Sequence, residues 1–194
     1  FISGRGSNMM ALINDMKSGK DHPGQPKLVV SNNTKAAGLV FAEKNSIETF
    51  AFNIEKIEDN LIFEEKTLQV LKEKNIDIIC LAGFMKILSE KFIKSFSKPI
   101  LNIHPSLLPS FKGLNTHQRA LKAGCLIHGA TVHQITNKVD EGPILGQTLI
   151  DITKNSTAKQ LEEKLLPLEH LLYKKVLREF LKESGKKILI INKT

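Results

Sequence analysis

Residues 76–82 read Ile76-Asp77-Ile78-Ile79-Cys80-Leu81-Ala82, an apolar run interrupted only by Asp77. A run this short, apolar at both odd and even positions, is the pattern of a strand covered on both faces. Such strands belong to parallel sheets with helices packed over them. Similar runs recur at 27–31, 47–52 and 99–104. Between them lie helix-period stretches at 9–16, 36–44, 56–74 and 89–96, the last opening on Ser89 as N-cap with Glu90 in the first turn. Strands alternating with helices predict an α/β fold: a single-domain, open, mostly parallel sheet with helices on both faces.

Further along, a helix is expected over 115–123, closed by Gly124. Two strands, 129–135 and 144–152, pair across the turn Asp140-Glu141-Gly142-Pro143 and make the sheet mixed. A long helix follows over 156–183, with a kink expected at Pro167, and a small strand over 187–191. Phe1-Ile2-Ser3 reads as the tail of a strand whose start precedes the sequence.

The 194 residues are 41% hydrophobic and 25% charged, which suits one domain with a full core and excludes disordered and low-complexity classes. Two cysteines cannot make a disulfide framework or a four-thiolate zinc site. Cys80, inside an apolar run, is expected to be a buried thiol, and a reducing, cytoplasmic compartment fits best. No membrane span and no leader are expected, since no apolar stretch reaches the roughly 18–20 residues a span needs. The net charge of +8 is carried by 25 Lys against 3 Arg, dispersed and usually beside Glu. That is a solvated surface with a mild pull on anionic small molecules, and no nucleic-acid partner is expected.

Three segments carry chemistry. Ser3-Gly4-Arg5-Gly6-Ser7-Asn8 follows a strand and opens a helix, where free amides and the helix dipole favour an anion. It is neither a Walker loop nor a full dinucleotide fingerprint, so a plain turn and a phosphate cradle both stay open. In Leu101-Asn102-Ile103-His104-Pro105 the strand period puts Asn102 and His104 on one side. An amide beside an imidazole suits attack on a carbonyl, one group stabilising the oxyanion and the other moving the proton. A histidine merely satisfied at a strand end is the alternative. Asp140 is by itself a turn former, yet beside a histidine it would orient the ring or a water. His22, His117 and His128 read as polar loop or edge residues. No histidine pair has zinc-enzyme spacing, and no metal is expected.

Together these segments resemble the phosphoribosylglycinamide formyltransferases, folate-dependent enzymes of purine synthesis. The likeness runs through Leu81-Ala82-Gly83-Phe84-Met85-Lys86-Ile87-Leu88, residues 101–109, 128–133 and 140–147, and Glu169-His170. It implies a Rossmann-like formyltransferase domain over 1–194, with a phosphate-binding half at about 1–100 and a catalytic, folate-loop half at about 100–194. It implies transfer of the formyl group of 10-formyltetrahydrofolate, a co-substrate, to the amine of glycinamide ribonucleotide, by a monomer or homodimer. By match, Asn102, His104 and Asp140 are catalytic. Gly6, Ser7 and Asn8 hold the substrate phosphate and Glu169 its ribose. Met85, Lys86, Ile87 and Leu88, with Asn102 and Thr136, Asn137, Lys138, Val139 and Asp140, line the folate site.

The chain departs from the family pattern at three places. Asn60 and Lys86 stand where arginine is frequent, exchanging a planar fork for less directional groups. Leu166 stands where a polar residue is common. Asn60 is therefore an uncertain folate contact. Methionyl-tRNA formyltransferase and formyltetrahydrofolate hydrolase share the Asn-x-His…Asp machinery, but are expected to carry further domains. A non-catalytic nucleotide- or nucleic-acid-binding module would leave the Asn102/His104 pair unexplained.

Overall fold

The computed structural model describes residues 1–19, 21–54, 57–183 and 185–191. Among them six helices and seven strands form a mixed α/β structure. Two compact units divide the chain, Phe1–Leu101 and Asn102–Thr194.

The first unit contains α1 (Ser7–Ser18), β1 (Leu28–Ser31), α2 (Ala37–Lys44), β2 (Glu48–Ala51), α3 (Ile57–Glu73), β3 (Ile79–Leu81) and α4 (Glu90–Phe96). β4 (Ile100–His104) carries the chain on into the second unit. β1 and β2 pair in parallel, from Leu28 opposite Glu48 to Ser31 opposite Ala51, with α2 as the crossover that a parallel pair requires. The expected start of α3, Lys56, lies outside the described residues.

Phe1-Ile2-Ser3 forms no strand of its own, only a parallel bridge between Ile2 and Ser31. It is nevertheless tied on both sides. Ile2 N donates to Val30 O at 2.9 Å, Ala82 N to Phe1 O at 2.9 Å and Ser3 N to Gly83 O at 3.1 Å. Three residues are too few to build a ladder, but enough to aim the next segment, Gly4 to Asn8. Phe1, Phe63, Phe84 and Phe92 close the unit's aromatic core, with Phe63 stacked on Phe84 at 6.1 Å between centroids. Ser89 caps α4 as expected, accepting from Phe92 N at 3.0 Å. Cys80 is only half-buried, because its side of the short strand β3 is incompletely covered.

The second unit contains α5 (Thr116–Lys122), β5 (Ile127–Gln134), β6 (Ile144–Asp151), α6 (Ala158–Leu181) and β7 (Ile188–Ile191). β5 and β6 are antiparallel, with a register shift between Val132 and His133, and β7 joins β6 in parallel. Ala130, Ile150, Leu161 and Leu165 make its core, where a face of β5 and β6 meets the buried stripe of α6. Gly129 is required there: a Cβ would lie 2.0 Å from Thr148 O.

α6 begins two residues later than the periodicity suggests, at a capping box that closes two free amides at once. Thr157 Oγ1 accepts from Gln160 N at 3.2 Å, and Gln160 Oε1 accepts from Thr157 N at 2.9 Å. The helix continues as one element through Pro167. Its buried stripe is Leu161, Leu165, Glu169, Leu172, Tyr173, Val176 and Leu177, so Glu169 is a buried carboxylate on a mostly apolar stripe.

Candidate active site

On β4, Asn102 and His104 share a side by the two-residue strand period, while Leu101 and Ile103 are buried opposite. His104 is buried as well, and Asn102 half-buried. His104 Nε2 lies 3.1 Å from the carbonyl oxygen of Phe111. A carbonyl can only accept, so Nε2 carries the hydrogen and Nδ1 is the nitrogen left to take up and release a proton. Nδ1 faces Oδ2 of Asp140 at 3.6 Å.

Asp140 sits in the turn between β5 and β6 with φ of 53°, a left-handed conformation that aspartate tolerates better than most residues. Its Oδ2 accepts from Gly113 N at 2.8 Å, and its Oδ1 faces His133 Nε2 at 3.6 Å. Turn former and histidine partner are thus one residue.

His133 completes the group, and sequence reasoning gave it no role. It follows the β5 register shift, where a bulge re-aims a side chain. Asn102 Nδ2 lies 3.2 Å from its Nε2. Burial pushes the His133 imidazole below its ordinary range, partly offset by Asp140 and the Gln134 backbone. The ring is therefore neutral near pH 7, and with the amide donating, Nε2 accepts. The available signal was a histidine in an apolar strand directly upstream of the Asp140 turn.

Three hydrogen bonds made with two side chains hold the loop after His104. Thr131 Oγ1 donates to Ser106 O at 2.7 Å and accepts from Leu108 N at 3.0 Å, while Gln147 Nε2 donates to Leu108 O at 3.0 Å. His128 corrects the expectation of a polar edge residue. It is buried on β5, with Nε2 2.9 Å from Nδ1 of His117 and the two rings edge-on. Burial and then the His117 neighbour lower its pKa to about 4. Burial also lowers that of His117, with Glu162 opposing.

The remaining candidates are local. Gly6 precedes α1 with φ of 70°, and the first helical bond runs from Met10 N to Gly6 O. The amides of Ser7, Asn8 and Met9 therefore stand ahead of the ladder, at the positive end of a twelve-residue helix. Asn8 is buried and Ser7 half-buried. Beyond Gly83, Met85, Lys86 and Ile87 are exposed, while Leu88 turns into the core. Met85 N donates to Ser3 Oγ at 2.8 Å. Thr136, Asn137, Lys138 and Val139 form an exposed segment leading into Asp140. Asn60 is half-buried on α3. Among the described residues no group of three or more His, Cys, Asp or Glu could hold a metal ion, and no helix is long and apolar enough to cross a membrane.

The constellation can donate a hydrogen bond from an amide, exchange a proton at one imidazole nitrogen and stabilise the resulting imidazolium with a carboxylate. Residues 1–177 match the family model described as formyl transferase. The chain is 39% identical over 180 residues to the phosphoribosylglycinamide formyltransferase of Haemophilus influenzae, covering 93% of this chain and 84% of that protein. It is 40% identical over 173 residues to the trifunctional purine biosynthetic protein adenosine-3 of Homo sapiens, covering 89% of this chain. It spans only 17% of that longer protein's length. The crystal structure of phosphoribosylglycinamide formyltransferase from Anaplasma phagocytophilum superposes with a TM-score of 0.90 at 35% identity, covering 100% of this chain and 96% of that one.

Proposed function

The chain belongs to the formyl transferase family, and on that premise we propose that it is a phosphoribosylglycinamide formyltransferase. It transfers the formyl group of 10-formyltetrahydrofolate to the amine of glycinamide ribonucleotide, in purine synthesis. The observation that carries the reading is the convergence of Asn102, His104 and Asp140 within one polar cluster, with 3.6 Å between His104 Nδ1 and Asp140 Oδ2. Residues 1–194 act as one formyltransferase domain of a cytoplasmic enzyme with two small-molecule substrates.

The substrate amine attacks the formyl carbon, forming a C–N bond and a tetrahedral oxyanion. The Asn102 amide donates to that oxygen, where developing charge makes a fixed donor most effective. His104 exchanges a proton at Nδ1, taking it from the attacking nitrogen and returning it to the folate nitrogen as the old C–N bond breaks. Asp140 stabilises the imidazolium in between. Gly6, Ser7 and Asn8 hold the phosphate and Glu169 the ribose. Met85, Lys86, Ile87 and Leu88, the segment from Thr136 to Asp140, Asn102 and Asn60 contact the folate. The exposed apolar chains of Met85 and Ile87 suit a flat ring. Positioning of two bound reactants supplies much of the rate, up to about 7–11 kcal/mol in favourable intramolecular cases.

The test is a direct assay with 10-formyltetrahydrofolate and three acceptors: glycinamide ribonucleotide, initiator methionyl-tRNA and water. Formylglycinamide ribonucleotide, identified by mass, is the expected product. Formylation of the tRNA, or folate hydrolysis with the ribonucleotide untouched, sinks the reading.

A further inference from the structure

Phe111, Lys112 and Gly113 are consecutive, and each is tied to a different part of the cluster. Phe111 O accepts from His104 Nε2 at 3.1 Å, Lys112 Nζ donates to Glu141 Oε1 at 2.7 Å, and Gly113 N donates to Asp140 Oδ2 at 2.8 Å. Neighbouring residues on one segment therefore grip neighbouring residues on the other, Lys112 to Glu141 and Gly113 to Asp140. From behind, Arg119 on α5 donates from Nη1 to Lys112 O and Leu114 O, and its guanidinium lies 5.6 Å over the Phe111 ring. The tripeptide is thus a template that sets the spacing between the imidazole and the carboxylate.

Three residues of this arrangement, Phe111, Gly113 and Asp140, have φ between 53° and 76°. A backbone of that kind is costly to hold in one state and needs side-chain ties to select it. Gln134 N donates to Pro143 O at 2.9 Å and closes the base of the turn, while one amide bond from Gly113 holds its tip at Asp140; a second, adjacent tie restricts the pivoting that remains. We propose that the Lys112–Glu141 ion pair is a latch that docks the Asp140 turn on the Phe111–Gly113 segment, making both residues positioning residues for the formyl transfer inferred above. The proposal rests on that reading for its catalytic consequence, but not for the latch itself.

The pair is well formed: Lys112 holds the Glu141 carboxyl below the usual carboxylate range, first by its hydrogen bond and then by its charge. Both side chains are partly solvated, at 38% and 42% exposure, so the latch is weak and opens readily. Lys138 Nζ also approaches Glu141, at 3.8 Å from Oε2, but it belongs to the same turn and so cannot tie that turn to the Phe111–Gly113 segment. Loss of either Lys112 or Glu141 therefore opens the latch.

The experiment uses the full chain and three variants, Glu141→Gln, Lys112→Gln and Lys112→Arg. The first readout, without substrate, is hydrogen exchange of the Gly113 amide by NMR. Exchange about three- to tenfold faster is expected in both Glu141→Gln and Lys112→Gln, and wild-type behaviour in Lys112→Arg. Salt at 0.5 M (roughly a 4 Å screening length) should accelerate the wild type but not Glu141→Gln. The second readout is formylation, where kcat should fall by about the same factor with KM for the ribonucleotide within about twofold. Wild-type exchange at Gly113 in Glu141→Gln overturns the latch, as does Lys112→Arg behaving like Lys112→Gln. Changed exchange with unchanged kcat overturns the positioning role. A wild type that formylates no ribonucleotide counts against the proposed activity alone, since the exchange measurement still decides the latch.

Discussion

The side-chain amide of Asn102 lies 3.2 Å from Nε2 of the buried, neutral His133, and His133 in turn faces Oδ1 of Asp140 at 3.6 Å. An amide that could rotate freely would spend time presenting its oxygen where a donor is required. With Nε2 accepting, the amide nitrogen stays toward the ring and keeps a second hydrogen for the proposed oxyanion. His133→Phe fills the volume without an acceptor. Turnover should fall by about tenfold, the equivalent of one hydrogen bond of about 1.4 kcal/mol, with both KM values little changed. His133→Gln, which keeps an acceptor, should lose less. Steady-state kinetics beside a thermal melt check this; equal kcat in both variants and the wild type refutes the anchoring role.

Asn102→Ala removes the proposed oxyanion donor and should lower kcat by about 10²–10³-fold. His104→Ala removes the proposed proton carrier, with a comparable loss of about 10²–10⁴-fold. Neither residue belongs to the segment from Gly4 to Asn8, so calorimetric binding of the ribonucleotide should be nearly unchanged. Wild-type-like turnover in either variant removes the proposed mechanism.

Stability should fall as pH drops through the range set by His128, whose folded pKa is about 4 against an ordinary value of 6.5. Between those values the unfolded chain binds the proton that the folded chain refuses, so unfolding free energy rises with pH across the window. The contribution is complete above about pH 6.5 and lost progressively toward pH 4, with His117 acting in the same direction. Urea unfolding at pH 7.5, 6, 5 and 4.5 measures the slope. His128→Asn should flatten it; an unchanged slope in that variant assigns the effect elsewhere.

Gly38 supports the segment from Gly4 to Asn8 from behind. Its amide donates to Gly4 O at 3.1 Å, and a Cβ there would lie 2.6 Å from Ile2 Cδ1 and 3.0 Å from Arg5 O. Gly38→Ala should destabilise by about 1–3 kcal/mol through overpacking. It should also weaken ribonucleotide binding more than folate binding, because the displaced Gly4 and Arg5 carbonyls lead directly into the proposed phosphate cradle at Gly6, Ser7 and Asn8. Melting temperature and calorimetry read the two effects separately, and tight ribonucleotide binding in a destabilised variant contradicts the link.

The α/β alternation was legible because it depends on local period. The apolar run at 76–82 reads as a buried strand wherever it packs, although only Ile79–Leu81 forms the ladder, and Asn102 and His104 share a side by strand geometry alone. The Ser89 cap was legible for the same reason, since its bond to Phe92 N spans three residues. Three residues at the chain start could not be told from a strand, because a ladder depends on a partner that local sequence does not contain. Histidine at 128 read as an edge residue for a similar reason: burial depends on what packs over the strand.

By itself, then, the sequence determined which residue types stand in phase on each element, and that put an amide and an imidazole on one side of a strand; the turn carboxylate joined them only through the resemblance. Only the tertiary structure decided which of them meet. The β5 bulge turns His133 onto Asn102, the Phe111 carbonyl selects the hydrogen-bearing nitrogen of His104, and the Gly113 amide fastens Asp140. Two of these contacts span 31 and 27 residues, and two use a backbone group, Phe111 O and Gly113 N, of a kind that residue type does not single out. They exist only once the strands are paired and the loops closed.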